Sequence, residues 1–366
     1  MPDDTPRPRA RHARAHVRYA ALRALLSTAA RWRPLDAPVD GYTFVVGVPW
    51  QLWDLVEIPL LSLERARHPR LVETILAVDA TPAQMAATYA PGRVEAVLAR
   101  FRDLSPRLVH YTRWQSILSR AIDWNWVDCW LTGVLGLAEV RSRYAFLHDF
   151  DAVVVDRDFC EAHVALLEQR GAVFAGVQED PRYRCPDGAR LLMTVELLLD
   201  AEHLRRTARP LDLFNSVAWV DGASVVYDIL RAVQTRVGAD RRALHPIGLE
   251  QLVHPSQVIS QWRALRSQGD GFTPVGYCPL LVIPLFRHVG GDSSGMAEIV
   301  AALERGEHVV ALEGRRLDLS RLDPAGRQWI VDQLEHLARY FSEAAELEPL
   351  VARYCALLRP GGAALA

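Results

Sequence analysis

Apolar runs rich in β-branched residues alternate with stretches of helical periodicity from residue 42 to residue 177. The apolar runs predict buried strands over Tyr42–Val48, Thr74–Val78, Leu108–Tyr111, Tyr144–Leu147 and Ala172–Val177. The stretches between them predict helices over Leu52–Arg67, Pro82–Ala99, Ile117–Val140 and Phe159–Gln169. Strands that alternate with helices are typical of βαβ units. The pattern therefore predicts an α/β fold with a Rossmann-type, mostly parallel sheet flanked by helices.

Other segments flank this alternating region at both ends. Residues 1–15 are rich in Arg, Pro and His, a composition typical of disorder. His16–Trp32 places its apolar residues on one helical face, and Pro324–Leu358 has a long helical periodicity. We expect a helical N-terminal arm over residues 1–40, a main domain over 41–295 and a helical C-terminal extension over 296–366.

The N-terminal helix is basic as well as amphipathic, with Arg14, Arg18 and Arg23 off its apolar face. Such a helix can rest on a surface of anionic lipids. The same pattern fits a helix that packs on its own domain. The sequence leaves both interpretations open, including peripheral contact with the inner face of a membrane.

The overall composition is that of an ordinary globular protein. The 366 residues carry a formal net charge of −2, with 50% hydrophobic and 23% charged residues. This balance argues against a dedicated nucleic-acid-binding protein. The longest apolar stretch, Gly276–Phe286, is broken by two prolines and is much shorter than the roughly 20 residues that cross a bilayer. No apolar segment typical of a secretory signal precedes the first arginines, so we expect a cytoplasmic location.

The chain contains no lysine, since all 42 basic residues are arginine. This excludes a Schiff-base lysine, a pyridoxal-phosphate anchor and a P-loop lysine. The five cysteines form no C-x-x-C pair and favour neither a disulfide framework nor a zinc site. Positive charge for a phosphate ligand must come from arginine, a metal ion or backbone N–H groups.

Two aspartates, Asp149 and Asp151, follow the predicted strand Tyr144–Leu147. In extended backbone, residues i and i+2 point to the same side, so both carboxylates could face one ligand. Carboxylates at the carboxyl edge of a parallel sheet, where ligands bind, suit Mg²⁺ or Mn²⁺ bridged to a diphosphate. An Asp-x-Asp sequence also arises by chance and caps turns. Its position after three βα units favours the metal-binding interpretation.

Four segments of the chain resemble segments of the GT-A-type nucleotide-sugar glycosyltransferases, and they occur in the same order as in that family. The resemblance is nearest to the family 2, rhamnosyltransferase-like type. The family's opening strand, Pro-containing loop and helix are similar to TFVVGVPWQLWDLVEIPLLSLERA, and its nucleoside-binding strand is similar to ETILAVDATP. Its D-x-D region is similar to GLAEVRSRYAFLHDFDAVVVDRDFCEAHVALL. Its late H-x-G-G-x-S element is similar to FRHVGGDSSG. The resemblance covers roughly two thirds of the chain, from Tyr42 to His288.

This resemblance implies a GT-A-like fold and a metal-dependent transfer of a hexose or deoxyhexose from a nucleoside-diphosphate donor to an acceptor hydroxyl. Residues 41–180 would form the nucleotide-sugar half and residues 181–295 the acceptor half. The cofactor would be Mn²⁺ or Mg²⁺, and the acceptor a glycan, a lipid-linked molecule or a small molecule. An inverting single displacement is the expected mechanism, and a retaining mechanism is the open alternative.

The resemblance also implies roles for individual residues. Asp149 and Asp151, with His288 near a pair of glycines, would hold the metal on the donor diphosphate. His288 also fits an ordinary loop histidine. The donor nucleotide would be bound by Pro49, Trp50, Asp79 and Asp149.

Asp221 is the first candidate for the base that deprotonates the acceptor, because of its order in the chain. An inverting transfer needs a carboxylate that takes the proton of the attacking hydroxyl. Asp221 equally fits the N-cap of the apolar run that follows it. Glu179 and Asp180, after the fifth predicted strand, are the alternatives.

The chain departs from the family pattern in three places. One aspartate, Asp79, stands where the family often has two, the Q-x-x-R-W element is missing, and the glutamate-aspartate pair appears only as Val220-Asp221. These departures leave open an inactive scaffold that binds nucleotide or glycan. DFDAVVVD also resembles the first motif of haloacid-dehalogenase phosphohydrolases, with Asp149 as nucleophile and Asp151 as general acid. That motif normally lies on the first strand, whereas here it follows three βα units.

Overall fold

The computed structural model describes residues 8–184, 190–220, 222–268 and 272–361. The chain divides into two compact units. The first comprises Met1–Gln51, Ala66–Phe150 and Asp158–Ile247, and the second comprises Leu52–Arg65, Asp151–Arg157 and Gly248–Ala366. Each unit is assembled from separate stretches of the chain. The division of the chain into three continuous segments, with boundaries after residues 40 and 295, stays a prediction.

The bounds of the secondary structure, within the described ranges, are as follows. The helices are α1 (Pro8–Leu26), α2 (Glu57–Arg65), α3 (Pro82–Thr88), α4 (Arg93–Arg100), α5 (Arg113–Ile122), α6 (Asn125–Glu139), α7 (Phe159–Arg170), α8 (Ala201–Thr207), α9 (Arg231–Gln234), α10 (Val258–Ser267), α11 (Val282–Val289), α12 (Ser294–Glu304), α13 (Pro324–Ser342) and α14 (Pro349–Leu358). The strands are β1 (Val39–Val48), β2 (Leu71–Val78), β3 (Pro106–His110), β4 (Ser142–His148), β5 (Val153–Val154), β6 (Phe174–Gly176), β7 (Glu179–Arg184), β8 (Arg190–Leu192), β9 (Leu197–Asp200), β10 (Ser216–Val220), β11 (Ala223–Tyr227), β12 (Arg242–Leu244), β13 (Leu252–Val253), β14 (Val309–Leu312) and β15 (Arg315–Asp318). Short 3₁₀ segments lie at Trp50–Leu55, Arg102–Leu104, Pro210–Leu213, Ala239–Arg241 and Pro279–Leu281.

The first unit is built on a seven-stranded sheet in the order β12-β6-β9-β4-β1-β2-β3. Its neighbouring strands are parallel, except that β9 runs antiparallel to both β4 and β6. The expected α/β fold with a mostly parallel sheet is therefore confirmed. The antiparallel β9 was not anticipated, because an all-apolar strand has the same sequence pattern in either direction.

The carboxyl ends of the parallel strands meet at one edge of this sheet. Val48 at the end of β1 pairs with Val78 at the end of β2, and Val46 pairs with His148 at the end of β4. The residues that follow these strands therefore emerge beside one another. This edge carries Pro49, Trp50, Asp79 and Asp149.

Helix α6 covers the centre of the sheet, where it packs on β1 and β2. A Cβ atom on Gly136 would lie 2.3 Å from Cγ1 of Val45, so only glycine allows α6 to approach β1 this closely. The central strands are buried on both faces, which explains why they read as apolar runs.

Three long helical stretches expected from the sequence are each divided in the structure. The stretch Pro324–Leu358 breaks where Glu343 adopts a left-handed φ of 54°, between α13 and α14. The stretch Pro82–Ala99 breaks where Gly92 adopts a left-handed φ of 82°, between α3 and α4. The stretch Ile117–Val140 breaks where Asp123 adopts a φ of 46°, between α5 and α6. The side chains of Thr81 and Thr112 cap α3 and α5. Each cap belongs to a T-x-x-Q capping box, a start signal that apolar periodicity alone does not reveal.

Helix α1 begins at Pro8, so the segment expected to be disordered up to residue 15 is helical from that point. The chain before Pro8 lies outside the described residues. Helix α1 packs against the hairpin formed by β10 and β11, and Leu26 at its end joins the core of the first unit.

The second unit consists of α2, α10–α14 and two small antiparallel pairs, β5–β13 and β14–β15. The helical pattern expected after residue 296 is interrupted by the β14–β15 hairpin, where Gly314 has a φ of 68°. The hydroxyl of Tyr354 on α14, buried in this unit, donates a hydrogen bond of 2.9 Å to the carbonyl oxygen of Leu281. No helix within the described residues combines the length and apolar character needed to cross a membrane.

Candidate functional site

The loop after β1 is held to the end of β2 by one side chain. The backbone N–H of Trp50 donates a hydrogen bond of 2.7 Å to Oδ1 of Asp79. The N–H of Asp79 in turn donates to the carbonyl oxygen of Val48, at 3.1 Å. The hydroxyl of Tyr89 donates a hydrogen bond of 2.6 Å to the carbonyl oxygen of Trp50. Pro49 is buried, whereas Trp50 and Asp79 are half-buried at the carboxyl edge of the sheet.

Asp151 lies at the N-terminus of α10 and is almost fully buried. Its Oδ2 accepts a hydrogen bond of 3.0 Å from the N–H of Val258, the first residue of that helix. Burial alone would raise the pKa of Asp151, but His254 and the Val258 N–H together lower it below its usual value. The carboxylate is therefore ionised at neutral pH.

His254 reaches Asp151 through a strand pair within the second unit. Val153 of β5 pairs with Val253 of β13, which brings Asp151, two residues before β5, close to His254, the residue directly after β13. Nε2 of His254 lies 3.4 Å from Oδ1 of Asp151. Sequence analysis missed His254, because about one hundred residues separate it from Asp151 and only the β5–β13 register joins them.

Asp149, Asp151 and His254 form a group with the chemistry of a metal site. One ligand atom from each residue lies within 4.8 Å of the other two. Carboxylate oxygens suit Mg²⁺ and Mn²⁺, and a neutral imidazole nitrogen binds transition-metal ions. Two carboxylates and one imidazole therefore fit a divalent cation, with the nitrogen donor favouring Mn²⁺.

His288, the histidine expected at the metal, is engaged elsewhere in the second unit. It lies in the last turn of α11. Its Nδ1 is 2.7 Å from Oγ of Ser293, and its Nε2 is 2.9 Å from Oε2 of Glu348. Both ring nitrogens thus have polar partners, and the group of possible metal ligands found among the described residues contains His254 and not His288.

A second histidine missed by the sequence analysis lies directly before Asp149. His148, the last residue of β4, forms an ion pair with Glu196 when its ring is protonated, and both side chains are fully buried. Glu196 has a left-handed φ of 45° and precedes β9, whose Leu197 pairs with Leu147. A glutamate in that conformation is uncommon, since the non-glycine residues enriched there are Asn, Asp and His. The pair anchors the end of β4, from which Asp149 emerges.

The candidates for the acceptor base differ in their burial and in their ion pairs. Asp221 lies outside the described residues, but the apolar run that follows it forms the strand β11 and not a helix, so its interpretation as a helix N-cap is wrong. Asp180 is fully buried, with its Oδ2 at 2.8 Å from Nη2 of the buried Arg231. Glu179 is partly exposed, at 3.7 Å from Nη1 of Arg190. Of the two alternatives to Asp221, only Glu179 is accessible to an acceptor.

No family model matches the chain, and no curated protein matches it. Among solved structures, it is similar to the mannosyltransferase PcManGT from Pyrobaculum calidifontis in complex with GDP-Man and Mn²⁺. That match has 12% identity and a TM-score of 0.37, and it covers 95% of this chain and 79% of the mannosyltransferase.

The chain is also similar to S. aureus TarS 1-349, with 10% identity and a TM-score of 0.39 over 82% of this chain and 72% of that one. The complex of TarS 1-349 with UDP-GlcNAc matches with 8% identity and a TM-score of 0.32, over 87% and 90% of the two chains. The match to a further TarS structure spans only 22% of that chain and 39% of this one, with 9% identity and a TM-score of 0.28. Similarity at this level assigns neither a family nor an activity to the chain.

Proposed function

We propose that the protein is a metal-dependent glycosyltransferase that moves a sugar from a nucleoside-diphosphate donor to an acceptor hydroxyl. The observation that carries this proposal is the Asp149, Asp151 and His254 group, in which Asp149 directly follows β4 of a mostly parallel sheet. Ligands of such sheets bind beyond the carboxyl ends of the strands. In a chain without lysine, positive charge for a diphosphate comes from arginine, backbone N–H groups or a metal ion, and the acidic group supplies a place for the metal ion.

Asp149, Asp151 and His254 would hold Mn²⁺ or Mg²⁺. The bound cation would neutralise the negative charge that develops on the leaving diphosphate. Asp151 suits this role because its carboxylate is ionised at neutral pH, and because the Val258 N–H orients it. His254 takes the place that the sequence suggested for His288, whose ring nitrogens contact Ser293 and Glu348.

Pro49, Trp50 and Asp79 would line one side of the nucleoside pocket, beside Asp149. The hydrogen bond from the Trp50 N–H to Asp79 fixes the direction in which the loop leaves β1. The indole ring of Trp50 offers a face on which a base or a sugar can stack.

The transfer would be an inverting single displacement. The oxygen of the acceptor hydroxyl forms a bond to the anomeric carbon, while the bond from that carbon to the diphosphate breaks. The proton of the hydroxyl passes to a carboxylate, for which Asp221 is the first candidate and Glu179 the second. The donor sugar would be a hexose or deoxyhexose.

The phosphohydrolase alternative requires Asp151 to act as a general acid, which means that it must be protonated when the reaction begins. Its lowered pKa works against that role, since a carboxylate ionised at neutral pH holds no proton to donate. The same property is an advantage in a metal ligand. This difference favours the transferase.

A thermal-shift experiment tests the proposal. GDP, UDP, GDP-mannose and UDP-GlcNAc are added separately, each with Mn²⁺ and each with EDTA. We expect one nucleotide to stabilise the protein by about 2.7 kcal/mol at 100 times its dissociation constant, and only with Mn²⁺ present. Asp151→Asn should abolish the shift, whereas Asp240→Asn, at an exposed position, should not.

The same nucleotide sugar should then release its nucleoside diphosphate when an acceptor is supplied. Equal stabilisation in EDTA would contradict the metal role. Turnover of simple phosphomonoesters that is lost in Asp149→Asn, without nucleotide-sugar binding, would favour the phosphohydrolase instead.

A further inference from the structure

Large apolar side chains are exposed mainly on one part of the first unit. Among the described residues, eight large hydrophobic side chains are exposed, and six of them lie on α1 or on elements that pack near it. We call these six the apolar helical face: Val17 and Leu25 on α1, Trp114 and Ile117 on α5, Trp126 on α6, and Trp219 on β10. The side chain of Trp114 is 52% exposed and that of Trp126 is 40% exposed. Water-exposed tryptophans in such a group mark an interaction surface.

The contacts of α1 show that these elements adjoin one another. The ring of Tyr19 lies 5.9 Å from that of Trp124, which directly precedes α6. Nε2 of Gln115 on α5 donates a hydrogen bond of 2.6 Å to the carbonyl oxygen of Ala29, just after α1. The ring of His12 lies 5.2 Å from that of Trp219. Helix α1 therefore connects the exposed side chains of α5 and α6 with that of β10.

Two of these elements, α1 and α5, are basic. Helix α1 contains five arginines and no acidic residue, and α5 contains two arginines and no acidic residue. Arg113 and Arg120 flank Trp114 and Ile117 on the solvent side of α5. The guanidinium of Arg18 lies 5.6 Å from the centroid of the Trp124 ring. On α5, positive charge and an exposed indole ring thus share the solvent-facing side of one helix.

We propose that the apolar helical face docks on a lipid bilayer that carries anionic headgroups. Tryptophan is favoured at the boundary between water and hydrocarbon, because its ring is apolar and its N–H is polar. Arginines beside it attract anionic headgroups and keep their own charges in water. A surface with exposed tryptophans and arginines can therefore contact both the hydrocarbon boundary and the anionic headgroups of a membrane. The docking does not depend on the proposed transferase activity.

A second copy of the chain is a poorer occupant of this face. Most homodimers are symmetric and place the same patch of both subunits in contact. Symmetric contact here would bring the arginines of α1 and α5 against their own copies, without acidic residues of those helices to offset them. Like charges opposed at an interface disfavour it.

Vesicle co-sedimentation of the full chain tests the proposal. One set of vesicles contains phosphatidylcholine alone, and the other contains phosphatidylcholine with phosphatidylglycerol. We expect binding to the anionic set only, weakened by added salt because screening reduces the attraction. A blue shift of tryptophan fluorescence should accompany binding, since exposed indoles enter an apolar environment.

Two pairs of variants separate the apolar contribution from the charge contribution. Trp114→Ala with Ile117→Ala should weaken binding about tenfold or more, while Val275→Ala, exposed in the second unit, should not change it. Arg11→Gln with Arg14→Gln should weaken binding roughly fivefold for each arginine removed. Arg316→Gln with Arg321→Gln, also exposed, is the matched control.

Three results would overturn the proposal. The first is the absence of binding to anionic vesicles by a wild-type protein with a cooperative unfolding transition. The second is equal binding of the wild type and of the Trp114/Ile117 double variant. The third is a concentration-dependent dimer that the same double variant disrupts, because the face would then be an interface between two copies.

Discussion

Asp79 accepts a hydrogen bond of 2.7 Å from the backbone N–H of Trp50, and so joins the loop after β1 to the end of β2. Both residues are nucleotide-binding candidates that the family resemblance of the sequence implies. The structure adds that one orients the loop carrying the other. A role of Asp79 in folding must therefore be separated from a role in binding.

Two substitutions of Asp79 separate these roles. Asp79→Asn keeps an oxygen that can accept from Trp50, so we expect a small change in the free energy of unfolding. Asp79→Ala leaves the Trp50 N–H without this partner and should cost about 1–3 kcal/mol. If Asp79 also contacts the nucleoside, both variants should bind nucleoside diphosphate more weakly. Urea denaturation and nucleotide titration provide the two measurements.

The choice between His254 and His288 as a metal ligand can be made with matched variants. His254→Ala should weaken Mn²⁺ binding by about tenfold or more, since removing even an outer-shell partner of a metal ligand costs about 10–100-fold. His288→Ala should leave Mn²⁺ binding nearly unchanged, because its ring contacts Ser293 and Glu348. Isothermal titration or Mn²⁺ electron paramagnetic resonance measures both affinities. A larger loss of Mn²⁺ affinity in His288→Ala than in His254→Ala would instead assign the role of metal ligand to His288.

The acceptor base is tested by substitution of Asp221. If Asp221 takes the proton of the hydroxyl, Asp221→Asn should lower kcat by roughly 10²–10⁴ while donor binding stays intact. If Asp221 takes no part in the proton transfer, kcat of Asp221→Asn should stay within a small factor of wild type. Glu179→Gln is the parallel variant. A large loss there, with normal turnover in Asp221→Asn, would move the role to Glu179.

The stability of the protein should depend on pH through His163. Burial lowers the pKa of this histidine to about 4, although its Nδ1 lies 2.9 Å from the carbonyl oxygen of Phe159. In the unfolded chain a histidine titrates near 6.5, so the unfolded state binds more protons between these two values. The stabilisation is fully present above about pH 6.5 and decreases as the pH falls toward 4, by about 3 kcal/mol.

Urea denaturation at several pH values between 7 and 4 measures this dependence. His163→Asn should reduce the slope of the free energy of unfolding against pH, whatever it does to stability at pH 7. His336→Gln, at an exposed position, should leave the slope unchanged. An unaltered slope in His163→Asn would assign the dependence to other groups.

The sequence by itself determined the parallel part of the fold. Residues buried on both faces of a sheet must be apolar, so β1, β2 and β4 could be read as apolar runs. It also located Trp50, Asp79 and Asp149 correctly after strand ends, because the carboxyl edge follows directly from the strand positions. The breaks between α3 and α4 and between α5 and α6 could not be predicted from periodicity, since the helical pattern continues through the left-handed residues Gly92 and Asp123.

Only the tertiary structure decided which distant residues meet at the site. His254 comes beside Asp151 because β13 pairs with β5, and a register between two-residue strands leaves no periodic signal in the sequence. Glu196 comes beside His148 because β9 inserts antiparallel beside β4. A local sequence pattern indicates which residues of one segment are buried and to which side of that segment their side chains point. Contacts between segments far apart depend on the packing of the whole unit, and no local pattern encodes them.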